Sequence, residues 1–149
     1  MIDEEVKKQS HRAIFKKLRS QGYSVLTNKK RINHFTAVVV RPDTLQSVSV
    51  QLKDSSTNSF IVGDGYDEFM ADKRFDNLIY ILTKSHPDGT YDTYIVPGKV
   101  AKKIRAKAWR IHPRNNPGSE YQKKEHRCRQ TITIKEIARY KDKYENLWE

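Results

Sequence analysis

The stretch His34–Lys53, HFTAVVVRPDTLQSVSVQLK, narrows the folds open to this chain more than any other. Phe35–Arg41 is rich in β-branched residues, which suit a pleated strand, and Pro42-Asp43-Thr44 carries turn chemistry. Ser47–Lys53 then alternates with period two. Val48, Val50 and Leu52 fall on one face; Ser47, Ser49, Gln51 and Lys53 fall on the other. A hairpin with an apolar face must pack it against a second layer. Its second strand ends by projecting an amide and an ammonium from the same side.

The flanking sequence supplies that layer. Asp3–Gln21 reads as a helix, with Glu4 and Glu5 in its first turn, Val6, Ala13, Ile14 and Leu18 in one stripe, and Gly22 as its stop. Tyr23–Thr27 reads as a first strand and Asn28–Arg31 as a basic turn. After the hairpin come a polar loop, Asp54–Asn58, and a break at Gly63-Asp64-Gly65. A short helix is expected over Tyr66–Asp72 and an apolar strand over Phe75–Thr83. Pro87-Asp88-Gly89 turns that strand into a partner, Tyr91–Val96. Lys99–Arg110 has helical spacing, His112–Gly118 is a Pro/Asn loop, Gln130–Thr133 a short strand and Ile134–Leu147 a final helix. The expectation is one α/β domain over residues 1–149.

Charge bears on partners. The chain has 29 Lys and Arg against 18 Asp and Glu, a formal net charge of +11, which favours a polyanion such as DNA or RNA. No apolar run is long enough to span a bilayer, and the opening Met1-Ile2-Asp3-Glu4-Glu5 is unlike a signal peptide, so a cytoplasmic protein without a membrane partner is expected. A single cysteine, Cys128, excludes an internal disulfide. Zinc held by His112, His126 and Cys128 would lack the usual spacing and a clear fourth ligand.

A basic helix, a strand, the hairpin and then Val50-Gln51-Leu52-Lys53 together resemble the PD-(D/E)XK nuclease superfamily. The similarity is to its small resolvase-like members and to those whose third strand reads V-Q-V-K, and it extends through Phe75–Leu82, Tyr94–Pro97 and the closing Tyr-x-x-x-Tyr-x-x-x-Trp. It implies a restriction-endonuclease-like core, α-β-β-β-α-β, with a mixed sheet flanked by helices and with extra C-terminal helices. It also implies Mg²⁺-dependent phosphodiester hydrolysis, and assembly as a homodimer or homotetramer. In such enzymes the ligands are a first-helix Glu, a second-strand Asp and the Glu, Asp or Gln of the third-strand motif, with a Lys two residues on. Matched onto this chain, Gln51 and Lys53 fill the third-strand motif, Thr36 (or Ala37) stands opposite Gln51, and His11 holds the helix position. Two expected carboxylates are thus replaced. His11 reads either as a core-edge histidine bonded to a neighbour or as a substitute ligand or base. Asp43 would serve as a metal ligand only in a longer or bulged register. Asp64, Asp67 and Glu68 fit a solvated helix start, and Asp54 points away from Lys53.

Positive charge is concentrated late in the chain. Lys99–Arg129 holds eleven Lys and Arg and two Glu. Lys102, Lys103, Lys107 and Arg110 are expected on the outer face of a helix, followed by Arg114, Lys123, Lys124, Arg127 and Arg129, with Trp109 placed to stack on a base or to anchor the helix. The first reading is a protein that binds double-stranded DNA and has weak, altered or lost nuclease activity. The second is an active Mg²⁺-dependent endonuclease of homing, restriction or junction-resolving type, completed by Asp43 or Asp64. The third is a subunit that binds RNA or an acidic protein.

Overall fold

A computed structural model describes residues 4–27, 37–111 and 130–148. The chain forms helix α1 (Glu4–Ser20), then strands β1 (Ser24–Thr27), β2 (Ala37–Arg41), β3 (Gln46–Ser55) and β4 (Ser59–Gly63). Helix α2 (Tyr66–Ala71) and a 3₁₀ turn (Lys73–Asn77) lead into β5 (Leu78–Ser85), β6 (Tyr91–Pro97) and helix α3 (Gly98–Ile111). Strand β7 (Gln130–Thr133), a single-turn helix α4 (Ile134–Ile137) and two 3₁₀ turns (Ala138–Tyr140 and Tyr144–Leu147) complete it. Five strands make a mixed sheet in the order β1-β2-β3-β5-β6, and β4 pairs with β7 in a separate ribbon. Neighbours in the main sheet are antiparallel except β3 and β5, which are parallel. No helix among the described residues is long and apolar enough to cross a membrane.

Two cores sit on the two faces of the main sheet. Ile14 and Leu18 of α1 pack on Val25, Ala37, Val39, Val50, Leu52, Ile79, Ile81 and Ile95, joined by Tyr144 and Leu147 from the last turn. On the other face Tyr80, Leu82, Tyr94 and Val96 meet Phe60 and Val62 of β4, Phe69, Phe75, Ala101, Ile132 and Ile137. Strand β5 feeds both cores and is buried at every position from Leu78 to Thr83, the pattern of a central strand covered on both sides. The helix stop at Gly22 is a full Schellman motif. Gly22 has φ 89°, its N–H reaches Arg19 O at 3.0 Å, and Tyr23 N–H reaches Leu18 O at 3.2 Å.

The structure revises three sequence expectations. Asp54–Asn58 is not wholly a loop: β3 continues to Ser55 because its parallel pairing runs to Ser55↔Lys84. The fifth strand begins at Leu78 rather than Phe75, since the Asp72 carboxylate accepts from Arg74 N–H and caps a 3₁₀ turn through Asn77. Finally, Ile134–Leu147 is not one helix. Thr133 and Glu136 form a capping box that starts α4, but Asp142 takes φ 56° and breaks the run. The segment instead lies along β6: Tyr94 bridges to Lys141, Asp142 N–H donates to Thr93 O at 2.9 Å, and Asn146 Nδ2 donates to Ile95 O at 3.2 Å. The open edge of β6 is thereby occupied.

The β5–β6 hairpin carries an ion cluster at its tip. Asp92 accepts from His86 Nε2 at 2.7 Å and from Lys141 Nζ at 3.2 Å. The His86 hydrogen bond, and after it Lys141, hold the Asp92 carboxyl below the usual carboxylate range against the opposing effect of burial. The folded chain therefore releases this proton more readily than the unfolded chain. The resulting stabilisation is full above the unfolded carboxyl range, about pH 4, and is lost as pH falls through the lower folded value. Thermal melts of wild type and Asp92→Asn are expected to differ near neutral pH and to converge below about pH 4. A gap that stays constant with pH would show that Asp92 acts only by packing.

The junction of β6 and α3 is tighter. A Cβ on Gly98 would fall 1.7 Å from Phe75 O and 2.9 Å from Leu78 O. Both obstacles are backbone, so neither can rotate away. Gly98→Ala is expected to destabilise the fold by about 3 kcal/mol, read as a drop in the urea midpoint without a change in slope. A neutral result would mean that this junction opens at little cost.

Candidate functional site

Strand alternation distributes the candidate residues between the two faces of the sheet. Gln51 stands beside Tyr80 and Lys53 beside Leu82 in the β3–β5 register, so both project on the side of Tyr80, Leu82 and α3. Each is half-buried. Val50 and Leu52 project the other way, into the core that contains Ile14 and Leu18 of α1. His11, on α1, is therefore on the opposite side of the sheet from Gln51 and Lys53, and these three do not share one centre. Ala37 faces Val50 across the β2–β3 ladder, while Thr36 lies outside the described residues. Asp43 lies in the β2–β3 turn, 73% exposed and 3.8 Å from Arg41 Nε. It adjoins the start of β3 at Gln46, so Gln51 is roughly 17 Å further along the strand. Asp64, Asp67 and Glu68 are exposed, the last two in the first turn of α2.

What His11 meets is Asp54. Two residues beyond Leu52, Asp54 returns to the α1 side. Its Oδ1 accepts from Ser10 Oγ at 2.5 Å, and its Oδ2 lies 3.0 Å from His11 Nε2. The Asp54 side chain is 4% exposed and that of His11 17%. Although Nε2 and Oδ2 are at ion-pair distance, neither has a partner along a hydrogen-bond direction. Thr83, next to Asp54 in the ladder, adds a third buried polar atom without a partner, Oγ1. His11 therefore sits at the edge of the core, at ion-pair distance from a buried carboxylate. Its neighbour was identifiable from the sequence only as the next position on the face of Val48, Val50 and Leu52. Among the described residues no group of three or more His, Cys, Asp or Glu side chains is gathered as a metal site.

Helix α3 divides its cations. Lys102 was expected to point outward and does not. It is buried, with Nζ donating to Met70 O at 3.2 Å and Asp72 O at 2.8 Å and pairing with Asp76 at 2.8 Å. The cause is the run of carbonyls at the end of α2, which needs donors. Arg105 likewise donates to Gln130 Oε1 at 2.8 Å and Thr131 O at 3.1 Å, tying α3 to β7. Lys99, Lys103 and Lys107 are exposed. Spaced by four residues, they form one row with steps of about 6 Å. Trp109 is half-buried and stacks on Tyr66, with centroids 4.3 Å apart and planes at 9°, so one of its faces is covered by protein. The Arg110 side chain, and Arg114, Lys123, Lys124, Arg127 and Arg129, lie outside the described part, as do His112, His126 and Cys128. No family model matches this chain, and no curated protein or solved structure matches it either.

Proposed function

We propose that this chain binds nucleic acid, double-stranded DNA in the first instance, through the exposed face of α3 and the basic segment that follows it. We further propose that it is a PD-(D/E)XK endonuclease-like domain with an incomplete catalytic site. The observation that carries the binding reading is the row Lys99, Lys103 and Lys107 on one face of α3. Lys102 and Arg105 of the same helix are turned into protein contacts, so the outward charge is a selected row rather than a uniformly basic surface. Such a row provides point charges for successive phosphates without reading sequence.

The order α1-β1-β2-β3, a crossover, then β5-β6-α3 supports the fold reading, because it contains the α-β-β-β-α-β succession with an added hairpin strand. The placement of Gln51 and Lys53 on the α3 side of the sheet keeps them on the side of the basic row. Against full catalytic competence stand the amide at Gln51, the distance to Asp43, and the position of His11 and Asp54 across the sheet. A Mg²⁺ centre depends on hard oxygen ligands, chiefly carboxylates.

The test pairs binding with cutting. Retardation of duplex DNA should weaken steeply with salt, and Lys103→Ala/Lys107→Ala should lower the slope of log K against log salt by about 2. Lys102→Ala should instead lower stability. Equal affinity in the double variant would reject α3 as the contact. Supercoiled plasmid should remain uncut with Mg²⁺ or Mn²⁺; metal-dependent nicking abolished in Lys53→Ala would assign an active endonuclease instead.

A further inference from the structure

We propose that the outward face of α1 is a second nucleic-acid contact, so that one copy of this chain bridges two duplex segments, one on each side of its sheet. The inference rests on the reading of α3 as the first contact and adds a surface to it. Its basis is the disposition of charge on α1. Ser10, Ile14 and Leu18 are buried positions of that helix. Arg12 and Lys16 lie on its opposite side, and both are exposed. From Gln9 to Tyr23 there are four Lys and Arg and no carboxylate.

Those four cations are divided, as they are on α3. Lys17 Nζ lies 5.1 Å from the centre of the Tyr144 ring, and the Arg19 guanidinium lies 6.0 Å from that of Phe15. Arg19 also donates to Val25 O at 3.5 Å. Both are thereby held along the protein surface, whereas Arg12 and Lys16, one turn apart, are directed away from the sheet. Gln9, Ala13 and Ser20 share the exposed side and are polar or small. A helix that lies in a membrane surface needs large apolar side chains to insert, and this face supplies none. A phosphate backbone needs only the charge.

The two rows point in opposite directions. Helix α1 packs on the face of Val39, Val50, Ile79 and Ile95, and α3 on the face of Tyr80, Leu82, Tyr94 and Val96. Two helices of about 10–12 Å diameter with the sheet between them put the outward faces roughly 30 Å apart. A straight duplex that lies against one row does not reach the other. Duplex DNA is stiff over about 150 bp, so bending opposes wrapping one duplex round a body of this size. Two segments satisfy both rows without that bend. The α1 row is the shorter of the two. It gains strength when many copies sit side by side on the first duplex and their weak contacts to the second add as avidity.

The experiment uses the full-length protein with two short duplexes, one biotinylated on beads and one fluorescent in solution. Wild type should retain the fluorescent duplex on the beads, with retention falling steeply as salt rises. Arg12→Ala/Lys16→Ala should lower that retention about tenfold. Its gel retardation of a single duplex, which α3 supports, should stay within about twofold of wild type, because distant sites act independently. Lys135→Ala/Lys143→Ala removes the same charge from exposed positions on neither helix and should leave retention unchanged. The urea midpoint is the folding control. Unchanged retardation in Lys103→Ala/Lys107→Ala would reject α3 as the first contact. Unchanged retention in Arg12→Ala/Lys16→Ala, with retardation still sensitive to α3, would reject α1 alone and assign bridging to paired copies that each use α3. No retention by wild type would overturn the bridge, and so would loss of phosphatidylserine-vesicle binding, rather than of duplex retention, in the α1 variant.

Discussion

The parallel pairing of β3 with β5 is the constraint on which the architecture turns. Two parallel neighbours cannot be joined by a tight turn, so the chain must leave the end of β3, travel the length of the sheet and re-enter beside its start. The crossover here is built from β4, α2 and a 3₁₀ turn. It brings Phe60, Val62, Phe69 and Phe75 over one face of the sheet, while α1 covers the other. Burial on both faces is why β5 has no polar stripe. Tyr80, in the buried run of the strand, directs its hydroxyl to Val62 O at 2.7 Å. Burial pushes that phenol's pKa far upward, so it remains a neutral donor and links the sheet to the crossover.

The same pairing fixes the chemistry of the faces. A strand with the period of β3 assigns adjacent residues to opposite layers. Lys53 and Asp54 are neighbours in sequence but act in different compartments, the first on the side of the basic helix and the second against α1. A reading that follows the motif along the strand groups Gln51 and Lys53 correctly with each other. It cannot say which layer α1 occupies, and therefore cannot say whether His11 joins them. That question is settled by packing, through Ile14 and Leu18 meeting Val50 and Leu52.

The legible part of this chain is the part governed by local rules. The hairpin of β2 and β3, the stop of α1 at Gly22, the apolar run of β5 and its turn into β6, and helix α3 all follow from period, turn chemistry or capping over a few residues. What escaped the sequence depends on distant partners. Helix propensity runs on past Ile137, but the free edge of β6 offers backbone hydrogen bonds that Lys141 and Asp142 take instead. Phe60–Val62 is too short to be distinguished by pattern, and it becomes a strand only because β7 arrives from far along the chain. At the candidate site, residue types were readable but their layer was not. Lys102 shows the same limit. A helical wheel places it among outward cations, whereas a flexible four-carbon stem lets its ammonium reach inward.

That inward reach connects the core with the surface. The ammonium of Lys102 satisfies Met70 O and Asp72 O where α2 ends, and neutralises Asp76. A buried ammonium is costly unless both its charge and its donors are matched, and here they are. The cost of breaking this arrangement is therefore much greater than that of any exposed pair. Arg105 makes the equivalent link to Gln130, which is fully buried, and to Thr131 on β7. Between them the two residues fix α3 to the crossover on one side and to the β4–β7 ribbon on the other. The exposed Lys99, Lys103 and Lys107 consequently project from a helix whose rotation about its own axis is locked. A row of charges on a helix free to turn would lose part of its electrostatic gain in ordering; on this helix the inward cations have already fixed the direction of the outward ones.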